Sequence, residues 1–419
     1  MDLSVIIPTC NEAENIAVLI DKIHELFVSS GYRYEIIVVD AGSRDDTLAI
    51  AQSKGVHAFT QERPGYGGAL HDAIFRAKGA FIVTIDADFS HNPYIIRRLF
   101  ALRHAAHIVI ASRYVRGGFA NMPFSRRILS IILNGFLRCS LSLPVRDISS
   151  GFRLYNTAIF KEIDFSARNF NVLAEILVKA YINGFRVQEI PFHYQPRTKG
   201  KSHARIIAFG MGFLHTLLSL WKVRNSVVAA DYDDRAFYSR IPLQRYWQRR
   251  RYKIITSFVG CQKRILDVGC GTSKVLAALP QAVGVDILFK KLRFNLSLGN
   301  PLVNGDIRCL SFKDESFDVV ICSEVIEHIK KEDRIFHELK RVLKRGGTLV
   351  LGTPDYGRLS WIIIEWFYKR IIPGGYGDEH IARFTRREIF ERMQQIGFQL
   401  KSYKYIAGSE LLCKFVKES

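Results

Sequence analysis

The 419-residue chain contains no Cys-x-x-Cys pair, and its seven cysteines (Cys10, Cys139, Cys261, Cys270, Cys309, Cys322 and Cys413) are scattered and odd in number. That pattern argues against a disulfide framework or a zinc site and suits a reducing compartment. No apolar run reaches the 18 or more residues of a spanning helix; the longest near miss, Ile206 to Trp221, is interrupted by His215. The opening MDLSVIIPT is strand-like, with no basic-then-apolar leader. The expectation is a cytoplasmic protein, peripherally associated with the cytoplasmic face of a membrane. Acid is scarce: 40 Asp and Glu stand against 60 Lys and Arg, a net charge of +20, which calls for an anionic partner. An apolar fraction of 48% and a charged fraction of 24% exclude wholesale disorder and coiled-coil rods.

What is present is strand-then-helix alternation, as in Ser4–Ile7, Tyr34–Val39, Phe81–Ile85 and His107–Ala111 with helical stretches such as Glu14–Phe27 between them. A second series runs through Arg264–Val268, Ala282–Val285, Val319–Cys322 and Thr348–Leu351. The fold class is therefore α/β, with two unrelated domains built on mostly parallel sheets. The expected boundaries are 1–225, a basic aromatic helical connector at 226–255, and 256–419. Sites should lie beyond the carboxyl ends of the strands.

In the first half, Phe81–Ile85 runs into Asp86-Ala87-Asp88. Alternate residues of an extended segment face one way, so both carboxylates can approach one divalent ion, or simply be solvated at the strand end. Ser4–Ile16 (SVIIPTCNEAENI), Val38–Thr47 (VVDAGSRDDT), Gly65-Tyr66-Gly67-Gly68 and Ile85–Pro93 (IDADFSHNP) resemble family 2 glycosyltransferases of GT-A, Rossmann-like fold. Ser112–Gly118 (SRYVRGG) and Asp147–Tyr155 (DISSGFRLY) narrow the resemblance to the polyprenyl-phosphate branch that includes dolichol-phosphate mannosyltransferases. It implies inverting transfer of a hexose from a nucleotide sugar (GDP-mannose or UDP-hexose) to a dolichyl or undecaprenyl phosphate. It also implies that Pro8, Asn11, Glu12 and Asp40 line the nucleoside pocket and that Asp86 and Asp88 hold Mg²⁺ or Mn²⁺. By the same resemblance Arg113, Arg126 and Ser130 clasp the acceptor phosphate, Arg197 serves the pyrophosphate, and Asp88, Arg113 and Arg126 act in catalysis. Ala41 and Ser90 depart from the family pattern, where Asp and Gln are common.

Independently of the resemblance, residues 89–146 contain nine arginines and no Asp or Glu. Guanidinium forks match phosphate oxygens, although a solvated basic face has the same composition. Pro123 to Leu143 interleaves apolar side chains with Arg126, Arg127 and Arg138, and no acid occurs from Ile190 to Ala230. Such basic amphipathic stretches suit an anionic membrane surface, or else burial within the fold or a dimer.

In the second half, a strand feeds Gly269-Cys270-Gly271-Thr272, and Asp286 ends the next strand, where a carboxylate can take a ribose. With Gly305-Asp306-Ile307, Ser316–Ile329 and Leu343–Tyr356, this resembles class I S-adenosylmethionine-dependent methyltransferases. The resemblance implies S-adenosyl-L-methionine as cofactor, with Gly269 and Gly271 near its methionine part, Asp267 beside them, Asp286 on the ribose, and Asp306 and Ile307 flanking the adenine. Glu324, Glu327 and His328 form ExxEH, with His380 later, which looks like the Mg²⁺ site of small-RNA 2′-O-methyltransferases; metal-free relatives carry similar strings, and His328 alone is a candidate base. The implied methyl acceptor is a product of the same pathway, such as a sugar hydroxyl. A polysaccharide or protein-glycan acceptor for the first half, and a catalytically inactive binding domain in either half, remain open. Basic residues and aromatics from Arg240 to Lys253 also fit RNA, a reading disfavoured by the first half. The sequence leaves the oligomeric state unknown.

Overall fold

The computed structural model describes residues 1–196, 216–371 and 380–418. Arg197 and residues 206–215 of the apolar run Ile206 to Trp221 lie outside them; 216–224 is helical. The chain forms two compact units: Met1–Tyr181 with Phe185–Arg224, and Ile182–Gly184 with Asn225–Ser419.

The strands of the first unit are β1 (Leu3–Thr9), β2 (Tyr34–Asp40), β3 (His57–Thr60), β4 (Phe81–Thr84), β5 (Ile108–Ser112), β6 (Phe119–Ala120), β7 (Arg153–Asn156), β8 (Val187–Pro191) and β9 (His193–Tyr194). Seven form one sheet in the order β3-β2-β1-β4-β7-β5-β8, and β6 pairs with β9. Strands β1 to β4 are mutually parallel, but β7 runs antiparallel between β4 and β5. The sheet is thus mixed, not simply parallel. β1 is an almost continuous apolar run because both of its faces are covered. Leu3, Val5 and Ile7 pack with Ile16, Leu19, Ile20 and Ile23 of the helix Ala13–Phe27.

In the second unit β10 (Ile265–Val268), β11 (Ala282–Asp286), β12 (Leu302–Asn304), β13 (Phe317–Ser323), β14 (Leu343–Pro354), β15 (Phe398–Ile406) and β16 (Glu410–Lys417) form a sheet ordered β12-β11-β10-β13-β14-β16-β15. It is parallel up to β14, and β16 and β15 are antiparallel. Alternation along the strands splits the core: Leu266, Val268, Val320 and Leu351 join one cluster, while Ile265, Val319, Ile321 and Val350 join another. That second face is covered by Ile254, Ile255, Phe258 and Val259 of the helix Pro242–Val259. The stretch expected as a separate connector is therefore built into this unit, with Trp247 and Arg251 both bonded to Glu410 of β16. Among the described residues, no helix is long and apolar enough to cross a membrane.

Candidate active sites

In the first unit, the order reverses between β1 and β4, the place where open α/β sheets bind ligands. Asp40 at the end of β2 accepts the backbone N–H groups of Gly42 (2.9 Å) and Ser43 (2.7 Å). Asn11 follows β1 with φ 55°; its N–H donates to Ser43 Oγ (2.8 Å) and its Oδ1 accepts the N–H of Arg44 (2.8 Å). Glu12 is buried and accepts from Asn15 Nδ2 (2.7 Å). Pro8 stands in β1 opposite Val39. All four expected nucleoside-side residues thus cluster at two adjacent strand ends, Pro8 and Asp40 in the final residues of β1 and β2, Asn11 and Glu12 just beyond β1.

Beyond β4, Asp86 is about a third exposed, with His91 Nδ1 3.7 Å from its Oδ2. Asp88 is buried, and its Oδ1 accepts the N–H of Ser90 (3.0 Å) across Phe89, whose φ is 59°. Burial pulls the His91 imidazole below its ordinary range while Asp86 and Asp88 oppose that shift. Tyr66 is stacked on Phe170 (4.2 Å between centroids), and burial together with the Asp86 charge pushes its phenol up. Burial also raises the Tyr194 phenol, with Asp88 adding to the effect and Ser90 opposing it. His91, Tyr66 and Tyr194 were not singled out in the sequence. The only trace was that His91 and Tyr66 fall inside the quoted motifs.

Arg113 turns its Nε and Nη2 onto Asp147 (2.8 and 2.7 Å) and also donates to Ser149 Oγ (2.7 Å). Despite the penalty of burial, Asp147 holds the guanidinium firmly charged. Two of its three nitrogens are therefore committed to the protein, which aims the arginine instead of leaving it a mobile clamp. Ser130 accepts from Tyr114 Oη (2.7 Å), and Arg126 is exposed one turn earlier on the helix Phe124–Ser140. Asn134 of that helix accepts the N–H groups of Ile148 and Ser149, fixing the loop that carries Asp147. Not all nine arginines converge here: Arg103 packs on the rings of Tyr32 and Phe100.

The helix exposes Phe124, Ile128, Leu129, Ile131, Ile132, Leu133 and Phe136, burying only Asn134 and Leu137.

In the second unit a cavity of about 830 Å³ opens at the carboxyl ends of β10, β11 and β13. Asp267, Gly269, Gly271, Asp286, Asp306, Ile307, Glu324 and His328 all line it. Gly269 (φ 66°) and Gly271 (φ 51°) make the turn in left-handed backbone. Asp286 accepts the N–H of Gly271 (2.9 Å) and of Leu288 (2.8 Å). Burial, with Asp286 nearby, pushes the Asp267 carboxyl up to about 7. Its Oδ2 has no hydrogen-bond partner among the described residues, which suits a cationic ligand. Asp306 is occupied by Arg308, Nε at 3.1 Å and Nη2 at 2.5 Å.

Seven further lining residues come from the expected connector, among them Tyr232, Asp233, Gln248 and Arg251. Asp233 accepts from Thr272 N (3.2 Å) and pairs with Lys291 (3.3 Å). Burial would raise its carboxyl, but the Lys291 charge and the Thr272 N–H outweigh that and hold it below the usual carboxylate range.

Glu327, His328 and His380 gather so that one donor atom from each lies within 4.8 Å of the others. Glu327 is fully buried; Thr353 Oγ1 reaches its Oε2 (3.3 Å), and its Oε1 has no hydrogen-bond partner among the described residues. His380 is held by Tyr356 (Oη to Nδ1, 2.7 Å) and by stacking on Trp361. An orphaned buried carboxylate oxygen beside two imidazoles fits a divalent ion. Glu324 takes a different course: at φ 58° it pairs with Arg251 (3.1 Å) and is not part of this group.

Residues 4–164 match the family described as glycosyl transferase family 2. The chain is 34% identical over 213 residues to polyprenol monophosphomannose synthase of Mycolicibacterium smegmatis, covering 47% of this chain and 79% of the relative. The chain belongs to glycosyl transferase family 2. The family 2 unit is also 34% identical over 212 residues to dolichol-phosphate mannosyltransferase of Pyrococcus furiosus, covering 48% of this chain and 59% of that protein. An uncharacterized glycosyltransferase of Mycobacterium tuberculosis shares 31% identity over 222 residues, 53% of this chain and 97% of the relative. Residues 266–351 match a methyltransferase domain, so the family 2 unit is joined to a methyltransferase unit. Among solved structures, glucosyl-3-phosphoglycerate synthase of M. tuberculosis, in complex with Mn²⁺, UDP and phosphoglyceric acid, aligns at TM-score 0.43 and 23% identity, over 52% of this chain and 78% of its own. A methyltransferase of Thermotoga maritima aligns at TM-score 0.38 and 19% identity, over 44% and 94%.

Proposed function

We propose that the family 2 unit transfers a hexosyl group, with inversion, from a nucleotide sugar to a polyprenyl phosphate at an anionic membrane surface, and that the second unit methylates a product of that pathway. The observation that carries the first half is the carboxylate pair beyond β4, Asp86 lying 3.7 Å from His91 and Asp88 buried, together with Arg113 aimed by Asp147 and with Ser130 and Arg126 on an exposed apolar helix. The naming of two relatives as a dolichol-phosphate mannosyltransferase and a polyprenol monophosphomannose synthase supports it. Asp86 and Asp88 would hold Mg²⁺ or Mn²⁺, which neutralises a departing nucleoside diphosphate. A phosphate acceptor is ionised at neutral pH and needs no base, so Arg113, Arg126 and Ser130 would only position it. Its oxygen bonds to the anomeric carbon as the diphosphate leaves from the opposite face.

In the second unit Asp286 would receive the ribose of S-adenosylmethionine, and Asp267 would face its positive charge. With no ion bound, His328, which lines the same cavity, would take the proton of an acceptor hydroxyl. Glu327, His328 and His380 would hold Mg²⁺, which lowers the pKa of a coordinated hydroxyl.

The test offers the protein radiolabelled GDP-mannose or UDP-hexoses, polyprenyl phosphate and Mg²⁺ or Mn²⁺, with and without S-adenosylmethionine. Label should enter the organic phase, fall at least 100-fold in Asp88→Ala, and gain one methyl mass with the cofactor. Equal incorporation without polyprenyl phosphate would mean a different acceptor.

A further inference from the structure

The helix Leu359–Ile371 of the methyltransferase unit carries an apolar ridge that the other described residues leave uncovered: Leu359 is 70% exposed, Ile362 48%, Ile363 51%, Trp366 51% and Phe367 52%. These positions follow the i, i+3, i+4, i+7, i+8 spacing of one helix face. Charge is segregated to match. Arg358 precedes the ridge, and Arg370 continues it, its guanidinium 4.2 Å from the Trp366 ring centre. The helix's one acid, Glu365, points away, accepting from Tyr356 Oη (3.2 Å) and lining a second cavity with Trp361 and Ile364.

We propose that this helix seats the methyltransferase unit on an anionic bilayer surface. At 13 residues it is about 20 Å long, too short to span. An apolar face with a tryptophan, bounded by arginines and free of acid, suits the headgroup boundary of anionic lipid. The inner side of the same helix lines the cavity next to the cofactor site, sharing Tyr232, Gln248, Arg251 and Glu324 with it. A methyl acceptor borne by a lipid would thus be met where it lies. The proposal does not depend on the glycosyl acceptor.

The test uses the whole protein with phosphatidylglycerol vesicles carrying brominated acyl chains. Trp366 emission is read as the difference between the wild type and Trp366→Phe. That difference signal should be quenched at least twofold by the brominated chains. It should be unquenched in Ile363→Glu/Phe367→Glu, with S-adenosylmethionine binding retained as the check on folding. A Trp366 signal indifferent to brominated lipid overturns the proposal, including when the protein is held on vesicles by another surface. So does a change from dimer to monomer in the double variant without any lipid effect, because a second copy would then cover the ridge.

Discussion

Asp267 makes the methyltransferase unit's stability depend on pH in a direction opposite to most carboxylates. Burial, with Asp286 beside it, moves its pKa from an ordinary 3.8 to about 7. The folded state therefore keeps a proton that the unfolded chain has released. Stability falls as pH rises from about 4, and the cost is complete above about 7. At about 1.36 kcal/mol per tenfold change, the full cost is on the order of 4 kcal/mol, of which about 3 falls between pH 5 and pH 8. Asp267→Asn keeps the shape and removes the charge. Relative to wild type at the same pH, the variant should melt higher at pH 8 than at pH 5 by about 6–12 °C, using the 2–4 °C per kcal/mol expected for a unit of this size. Differential scanning fluorimetry reads this, and the relevant transition is the one that S-adenosylmethionine raises. An Asn–Asp difference that is the same at both pH values would refute the reasoning.

Gly67→Ala would drive a methyl into the carbonyl oxygen of Ala167; it should lower the stability of the family 2 unit by about 1–3 kcal/mol, seen as a lower melting midpoint. Ile132→Glu on the exposed helix should leave stability within about 0.5 kcal/mol, yet cut co-sedimentation with anionic liposomes several-fold; unchanged pelleting would remove that helix from the membrane contact. Glu327→Ala should lower methyl transfer at limiting Mg²⁺ at least tenfold, measured by titrating the ion at fixed S-adenosylmethionine; full activity of the variant at limiting Mg²⁺ would exclude the metal reading.

Strand runs such as Leu3–Thr9 and Ile265–Val268 were legible because burial on both faces demands mostly apolar sequence, broken only at Ser4 and the strand-end Pro8-Thr9 in the first and at Asp267 in the second. The glycine loop after β10 and Asp286 after β11 were legible because local backbone geometry restricts residue choice. Contacts made across the chain were not. Arg113 and Asp147 stand 34 residues apart, and nothing in the spacing shows that the arginine is engaged. Arg251 read as one charge among many on a polar helix, but it sits between Glu324 and Glu410, a desolvated arrangement that only tertiary packing creates. The same holds for the connector, whose Ile254, Ile255, Phe258 and Val259 mark a buried face that its many charges obscured. The antiparallel β7 escaped notice because a four-residue strand carries no sign of its direction.

Asn11, Phe89 and Glu324 adopt left-handed backbone without being glycine, and each adjoins a carboxylate or glycine loop of a candidate site. Each such residue costs about 1–2 kcal/mol, so these positions are where the molecule is easiest to improve as a mere solid object. A laboratory selection for heat resistance alone should accept glycine at 89 or 324 readily, and the survivors should be robust but slow. Ser142, Glu315 and Ala407 are left-handed too but belong to neither candidate site, so an engineer seeking a hardier catalyst should relieve strain there and leave the other three alone.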